Sequence, residues 1–519
     1  MQARPLPAAV VKAILGDGGE LALIDLREEL VFSRSHVLWA RNVPLSRLEL
    51  RFAALVPRRT TRIVLIDDND GLVPRAAAVL ASAGYTDISY LDGGNAGWAA
   101  AGFELFSGVN VPSKAFGEFI EHANHTPSVS AEELNALMRA KTDMVVLDSR
   151  PLDEYSRLSI PTGVNVPGAE LVLHVHDIAP SPETLIVVNC AGRTRSIIGA
   201  QSLINAGVPN KVVALRNGTM GWHLAGLTCD KGKSARYPAV SKDGLAWAKQ
   251  AAAAVARKFD VPWIVPETVE RWRGDESRTT YVFDVREPAE YEAGHYPGAT
   301  SAPGGQLVQA TDQYAGTLGA RVILSDDNEA RAVMTASWLK QMGWRDVSVL
   351  PEAGEEKGWP APKVLGTPPD NAAVDAAALR ALADATVIDL SLSPNYRKGH
   401  VPGAWFAIRA RLKRALEKIS PRGTLVLTSE DGVLAGLAVE DARALTALTV
   451  RWLKGGNAAW AAAGFPLSVE PNMADEPLDA WLKPYERAGD PKAAMNEYLS
   501  WEIDLLDRIR RDGTTNFST

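Results

Sequence analysis

A short apolar run that ends in aspartate recurs four times along the chain: LALID to Asp25, MVVLD to Asp148, YVFD to Asp284 and TVID to Asp389. A turn-like segment follows each (SHVLWARNVP, SIPTGVNVP, GHYPGATSAP, GHVPGAWFA), and then a second apolar run (RIVLI, LIVVN, RVILS, TLVLT). Short apolar runs bounded by turn residues predict buried strands. An Ala-rich stretch of helical character comes next. In the first three copies it stops near Gly84, Gly207 and Gly343, since glycine readily takes the left-handed backbone that ends a helix. A third apolar run (DISYL, KVVAL, DVSVL, LTVRWL) and a small-residue turn before tryptophan close each unit: GGNAGW, NGTMGW, AGEEKGW, GGNAAW.

The register is close. The step from the end of the second strand to the tryptophan is 31 residues from Asp67 to Trp98, 32 from Cys190 to Trp222, 33 from Asp326 to Trp359 and 31 from Ser429 to Trp460. Strands alternating with helices predict an α/β module with a parallel sheet flanked by helices. A unit of about 100 residues supports its own core, which predicts four tandem domains rather than a solenoid. The boundaries expected are 1–110, 125–232, 263–365 and 370–470, followed by a helical tail over 471–519. Residues 230–262 carry an Ala-rich helix expected to join a first pair of domains to a second pair, and GTPPDN at 366–371 reads as a turn. Over 492–511, Met495, Tyr498, Leu499, Leu506 and Ile509 share one stripe of an amphipathic helix. It is expected to pack back on a domain, with a dimer contact as the alternative.

Composition narrows the function. The 519 residues have a net charge of −7 with both signs interspersed, which argues against a nucleic-acid-binding face. No stretch reaches the length of a membrane span, and the N-terminal MQARPLPAAVVKAILGDGGE lacks the apolar core of a signal peptide. The two cysteines, Cys190 and Cys229, make neither a disulfide framework nor a zinc site by themselves, so a reducing, cytoplasmic setting is expected. No Gly-rich phosphate motif calls for a nucleotide, and no cofactor is expected. His174 and His176, with Asp177 next to them, have the spacing of one strand face and could suggest a metal, but a third ligand is not evident and the segment is read as a polar loop. Asp25–Arg27, Asp148–Arg150 and Asp284–Arg286 recur and are read as a structural ion pair or turn bond supporting the loop. The four closing tryptophans are read as core anchors.

Candidate chemistry concentrates in NCAGRTRS, residues 189–196. Ligands of open parallel sheets gather beyond the carboxyl ends of the strands, and Cys190 follows the strand LIVVN while Ser196 begins a helical stretch. A thiol at a helix N-terminus, with the amides of 191–196 curled around it and Arg193 and Arg195 nearby, is expected to ionise more readily than a free one. Gly192 lets the loop turn tightly. Cys229, in GLTCDKG, has no such surroundings and is read as an inert core residue.

The strand with its Asp-x-Arg ending, the IPTGVNVP segment, the cysteine loop and the NGTMGW closure resemble the rhodanese family of sulfurtransferases. The likeness extends over most of the chain as four tandem rhodanese-like domains, with a matching active loop in the second. The resemblance implies a double displacement. Cys190 takes the outer sulfur of an anionic donor, thiosulfate or 3-mercaptopyruvate, as a persulfide. A thiol or cyanide acceptor then removes it. Ala191, Gly192, Arg193, Thr194, Arg195 and Ser196 would bind the donor and the persulfide. Four residues separate Cys190 from Arg195, whereas phosphatases and arsenate reductases of related shape have five, so that chemistry ranks below sulfur transfer. Asp67, Asp326 and Ser429 stand where the cysteine would be, so the first, third and fourth domains are expected to be catalytically silent. His36, His295 and His400 recur in the turn where the active copy has Ser159, which argues against a catalytic histidine. The alternative function is a sulfur-carrier or scaffold module charged by a partner protein.

Overall fold

The computed structural model describes residues 3–519. They form two compact units. One contains residues 22–109 and 361–481, the first and fourth repeats; the other contains 110–360 and 482–519, the second and third repeats with the C-terminal helix. The expected pairing of first with second and third with fourth is therefore corrected. The Ala-rich helix Lys242–Lys258 does not separate two pairs. It packs on Leu171–Ile178 of the second repeat and Ala330–Gln341 of the third, inside one unit. Its small side chains Ala248, Ala251, Ala252 and Ala256 are all buried, which lets both neighbours approach closely.

Every repeat folds around a parallel sheet in which the second apolar run is central. In the second repeat the strand order is Ser128–Val129, Val212–Leu215, Leu185–Asn189, Met144–Asp148, Val164–Asn165. Leu185–Asn189 pairs with Met144–Asp148 so that Asn189 lies opposite Asp148. Its residues from Ile186 to Asn189 are buried on both faces, as the unbroken apolar run demands. The fourth sheet gains an edge strand, Asn472–Met473, so the tail is not helical from 471; its long helix is Pro491–Asp512. That helix packs back on Val111–Asn124. Met495, Leu499, Glu502, Leu505 and Ile509 form the buried stripe, in which Leu505 rather than Leu506 takes the inward place. No helix among the described residues is long and apolar enough to cross a membrane.

The recurring Asp-x-Arg pairs are buried two-point ion pairs. Arg150 donates from Nε to Asp148 Oδ1 at 2.8 Å and from Nη2 to Asp148 Oδ2 at 2.6 Å. Arg27–Asp25 and Arg286–Asp284 repeat the arrangement. Each arginine also reaches a carbonyl eight residues on, Ser35, Leu158 or Gly294, and so ties strand to turn. The turn histidines are structural too. His36, His295 and His400 are buried, stack on Phe32, Tyr291 and Tyr396, and pair through Nδ1 with the carbonyls of those same residues.

Two further expectations change. Trp98, Trp222 and Trp460 are core anchors, but Trp359 is 56% exposed. The other three sit in helices that begin with two consecutive left-handed residues, Gly93–Gly94, Asn217–Gly218 and Gly455–Gly456. The third repeat has Ala353 before Gly354, and alanine disfavours that backbone, so no helix forms there. His174, His176 and Asp177 lie in the helix Leu171–Ile178, not in a loop or strand. His174 Nε2 lies 3.3 Å from Glu170 and its ring packs on Tyr237. No cluster among the described residues is arranged to hold a metal ion.

Candidate active site

The central strand of the second repeat delivers Cys190 to the carboxyl edge of the sheet, and the helix Thr194–Asn205 starts four residues later. The loop between them rests on the turn at Asn217–Thr219. Cys190 O accepts from Thr219 N at 2.8 Å and from Thr219 Oγ1 at 3.0 Å, and Ala191 O accepts from Met220 N at 3.0 Å. Gly218 has φ +52°, and a Cβ there would stand 2.4 Å from Cys190 O and 2.7 Å from Gly192 O. Only glycine fits under this loop, which explains the small-residue turn in NGTMGW. From below, Asn189 Nδ2 bonds Asp148 at 2.8 Å and Thr219 Oγ1 at 3.1 Å.

Cys190 is 1% exposed. Its thiol donates to Ser196 Oγ at 3.5 Å, and the Ser196 hydroxyl donates to Arg193 O at 2.7 Å. Among the described residues, no protein acceptor takes the backbone N–H groups of Ala191, Gly192, Arg193, Thr194 or Arg195. Buried amides are nearly always paired. Five consecutive unpaired ones at a helix N-terminus make a concave donor surface suited to an anion.

The aspartate loops of the first and third repeats differ here. Asp67 fills its own loop, accepting Asn69 N at 3.0 Å and Leu72 N and Val73 N at 3.1 Å each. Asp326 does the same for Asn328 N at 3.4 Å, Arg331 N at 3.0 Å and Ala332 N at 3.2 Å. In the fourth repeat Ser429 Oγ accepts Ala435 N at 3.4 Å.

Both arginines of the cysteine loop are held by carboxylates. Arg193 forks onto Glu118, Nε to Oε1 and Nη2 to Oε2 at 2.7 Å each; it also touches Glu121, and Nη1 reaches Asn217 at 3.2 Å. Burial would lower the Arg193 pKa, but Glu118 and Glu121 outweigh it and raise it. Arg195 pairs with Glu154 at 2.9 Å and with Gln306 at 3.2 Å. There too burial is outweighed, by Glu154 first and then by the Cys190 sulfur, within whose field Arg195 lies. Burial would raise the Glu154 carboxyl, yet Arg195 and Lys483 hold it below the usual carboxylate range.

Several site residues lie outside the motif. Lys114 and Glu118 come from the helix Val111–Asn124, Gln306 from the third repeat, and Tyr498 and Glu502 from Pro491–Asp512. Burial lowers the pKa of Lys114 and raises that of Tyr498, against the raising effect of Glu502 on Lys114 and together with its raising effect on Tyr498. Glu154 alone had a signal in the sequence. It follows Asp148 by six residues as Glu290 follows Asp284, and Arg195 follows Cys190 by five as Arg331 follows Asp326. Arg331 pairs with Glu290 at 2.8 Å, the same cross-link in a repeat without cysteine.

Comparisons with known proteins agree with the repeat reading. The rhodanese-like domain family matches residues 7–101, 130–225, 265–354 and 373–463. A thiosulfate sulfurtransferase from Pseudomonas aeruginosa is similar over 99% of both chains, with 47% identity and a TM-score of 0.97. The Alr3790 protein from Anabaena sp. is 26% identical over 20% of this chain and 91% of its own, with a TM-score of 0.19. A rhodanese-related protein from Thermoplasma volcanium is 19% identical over 19% of this chain and 98% of its own, with a TM-score of 0.18. No curated protein matches the chain. With four matched segments that together span well over half its length, the chain belongs to the rhodanese-like domain family.

Proposed function

We propose that the protein is a sulfurtransferase that moves sulfane sulfur from thiosulfate, or a similar anionic donor such as 3-mercaptopyruvate, to a thiophilic acceptor through a persulfide on Cys190. The observation that carries the reading is the row of five unpaired amides from 191 to 195 beside Cys190, which directly follows a central strand. The Cys190 thiolate attacks the outer sulfur of thiosulfate, the donor's sulfur–sulfur bond breaks, and sulfite leaves with its electron pair. The persulfide anion then takes the amide bonds that the loop leaves unmet. Similarity to the Pseudomonas aeruginosa thiosulfate sulfurtransferase supports the donor class. Arg195 contributes positive field at the sulfur, while Arg193 holds the loop through Glu118.

The other three repeats are silent in this reading, because aspartate or serine occupies the cysteine position, and in the first and third repeats the aspartate binds the loop amides itself. Both cysteines are unpaired, which fits a reducing compartment such as the cytoplasm. The near-complete burial of Cys190 favours a second reading, a sulfur carrier charged by a partner protein that opens the site.

Intact-mass spectrometry after incubation with thiosulfate tests the first reading. One added sulfur on the wild type, located at Cys190 and absent from Cys190→Ser, is the expected result. Loading by a protein donor alone, with no thiocyanate formed from thiosulfate and cyanide, would establish the carrier instead.

A further inference from the structure

Two kinds of unmet hydrogen-bonding demand meet at the cysteine loop. The amides of 191–195 have protons to donate. Glu502 has a lone pair to offer. Its side chain is 1% exposed, and its Oε2 accepts no hydrogen bond among the described residues. A Cβ placed on Gly192 would stand 3.2 Å from that oxygen, so it faces the loop. The other carboxylate oxygen is engaged: Tyr498 donates at 3.0 Å, Thr194 Oγ1 donates at 3.3 Å, and Lys114 Nζ lies 3.6 Å away. These three contacts fix the orientation of the carboxylate and leave Oε2 toward the loop.

An unpaired buried carboxylate oxygen is destabilising unless a ligand completes it. An anion completes the amides but does nothing for Glu502, which needs a partner that brings a proton. Thiosulfate and sulfite dianions carry none. A thiol does, and the neighbouring wall suits its carbon chain: Met220, Met495 and Leu499 are buried together, with Tyr485 beside them.

Building on the Cys190 persulfide reading, we propose that Glu502 is the catalytic base of the second half-reaction and that the sulfur acceptor is a protonated thiol. The acceptor sulfur attacks the outer sulfur of the persulfide while its S–H bond breaks and the proton passes to Glu502 Oε2. A sulfur–sulfur bond forms between acceptor and outer sulfur. The bond from outer sulfur to Cys190 Sγ breaks, and its electron pair stays on Sγ as thiolate. The acceptor leaves as a persulfide, and no oxidant or reductant is consumed. Lys114 and Tyr498 are positioning residues for the carboxylate. All three lie outside residues 130–225 matched by the family, so the base is supplied by the flanking helices.

The test separates the half-reactions in the full-length protein. Wild type and Glu502→Gln are loaded with thiosulfate, and single-turnover discharge is followed with uncharged 2-mercaptoethanol or with sulfite, which re-forms thiosulfate without a proton transfer. Glu502→Gln is expected to load normally, to discharge to the thiol at least about 100-fold more slowly near pH 7, and to discharge to sulfite within about twofold of wild type. Equal thiol rates, or thiol and sulfite rates that fall together, would overturn the proposal. A wild type that takes up no sulfur at Cys190 would instead overturn the persulfide reading beneath it. A second measurement needs no variant. With Glu502 as base, wild-type thiol discharge is flat between about pH 6 and 8, whereas a tenfold rise per pH unit with the thiolate fraction excludes a base.

Discussion

Arg195 Nη2 donates to Glu154 Oε2 at 2.9 Å, and the two side chains are each only 12% exposed. The same cross-link joins Arg331 to Glu290 in the third repeat, where Asp326 replaces the cysteine. An ion pair kept without the cysteine has a structural function first: it ties the start of the loop helix to the segment after the first strand.

That function predicts the behaviour of Glu154→Gln. Breaking one side of a buried pair leaves the other charge uncompensated, at a cost of about 3–5 kcal/mol. Urea denaturation at neutral pH should show the loss. The Glu154 carboxyl is held below its free value of 4.5, so its contribution is present above that value and disappears as pH falls through the lower folded one. The difference between wild type and Glu154→Gln should therefore shrink on acidification; a constant difference would contradict the pairing.

Arg193 should act on turnover rather than on donor affinity, because Glu118, Glu121 and Asn217 occupy its guanidinium. Arg193→Lys keeps the charge but not the fork, and should destabilise by about 1.5–3 kcal/mol. With thiosulfate, kcat should fall about tenfold or more while KM stays within about twofold, as loosening of the cysteine loop by a kcal/mol or two implies. A rise in KM at constant kcat would show that Arg193 touches the donor.

In the first repeat the carboxylate of Asp67 itself accepts the loop amides. Asp67→Ala removes the acceptor for three backbone N–H groups and should destabilise by about 2–3 kcal/mol. Sulfur loading at Cys190 should be unchanged. Lowered melting with intact loading is the expected pair of results, and lost loading would mean that the first repeat takes part in the chemistry.

Glu28 carries a pH-dependent weakness in the same repeat. Burial raises its carboxyl from 4.5 to about 7, against the lowering effect of Ser46. The folded protein thus holds a proton that the unfolded chain releases. The stability this group contributes is complete below pH 4.5 and is lost as pH rises through about 7. Glu28→Gln should stabilise by roughly 3 kcal/mol at about pH 8 and have little effect at about pH 4. Thermal melting across that range checks it, and equal gains at both pH values would refute the assignment.

The periodic features were the legible ones. Apolar runs ending in Asp25, Asp148, Asp284 and Asp389 announced the strands, because a strand buried on both faces must be apolar throughout. The Asp-x-Arg spacing announced a local ion pair or turn bond, because both partners sit within one turn, and the structure makes it the ion pair. Trp359 misled because it shares its letter with Trp98, Trp222 and Trp460. The deciding residue was Ala353, which does not take the left-handed backbone its counterparts adopt. His174 misled because alternate histidines suit a strand face as well as a helix.

By itself the sequence determined four α/β repeats and one cysteine loop unlike its three counterparts, since both follow from local periodicity and from the residue at one position. Only the tertiary structure decided that the second repeat shares a unit with the third, that Glu118 and Glu154 hold the two arginines, and that Glu502 faces a loop more than 300 residues earlier in the chain. These are long-range packing choices. They are made by the fit of small residues such as Ala252 between helices and by the compensation of buried charges, and neither leaves a periodic mark along the chain.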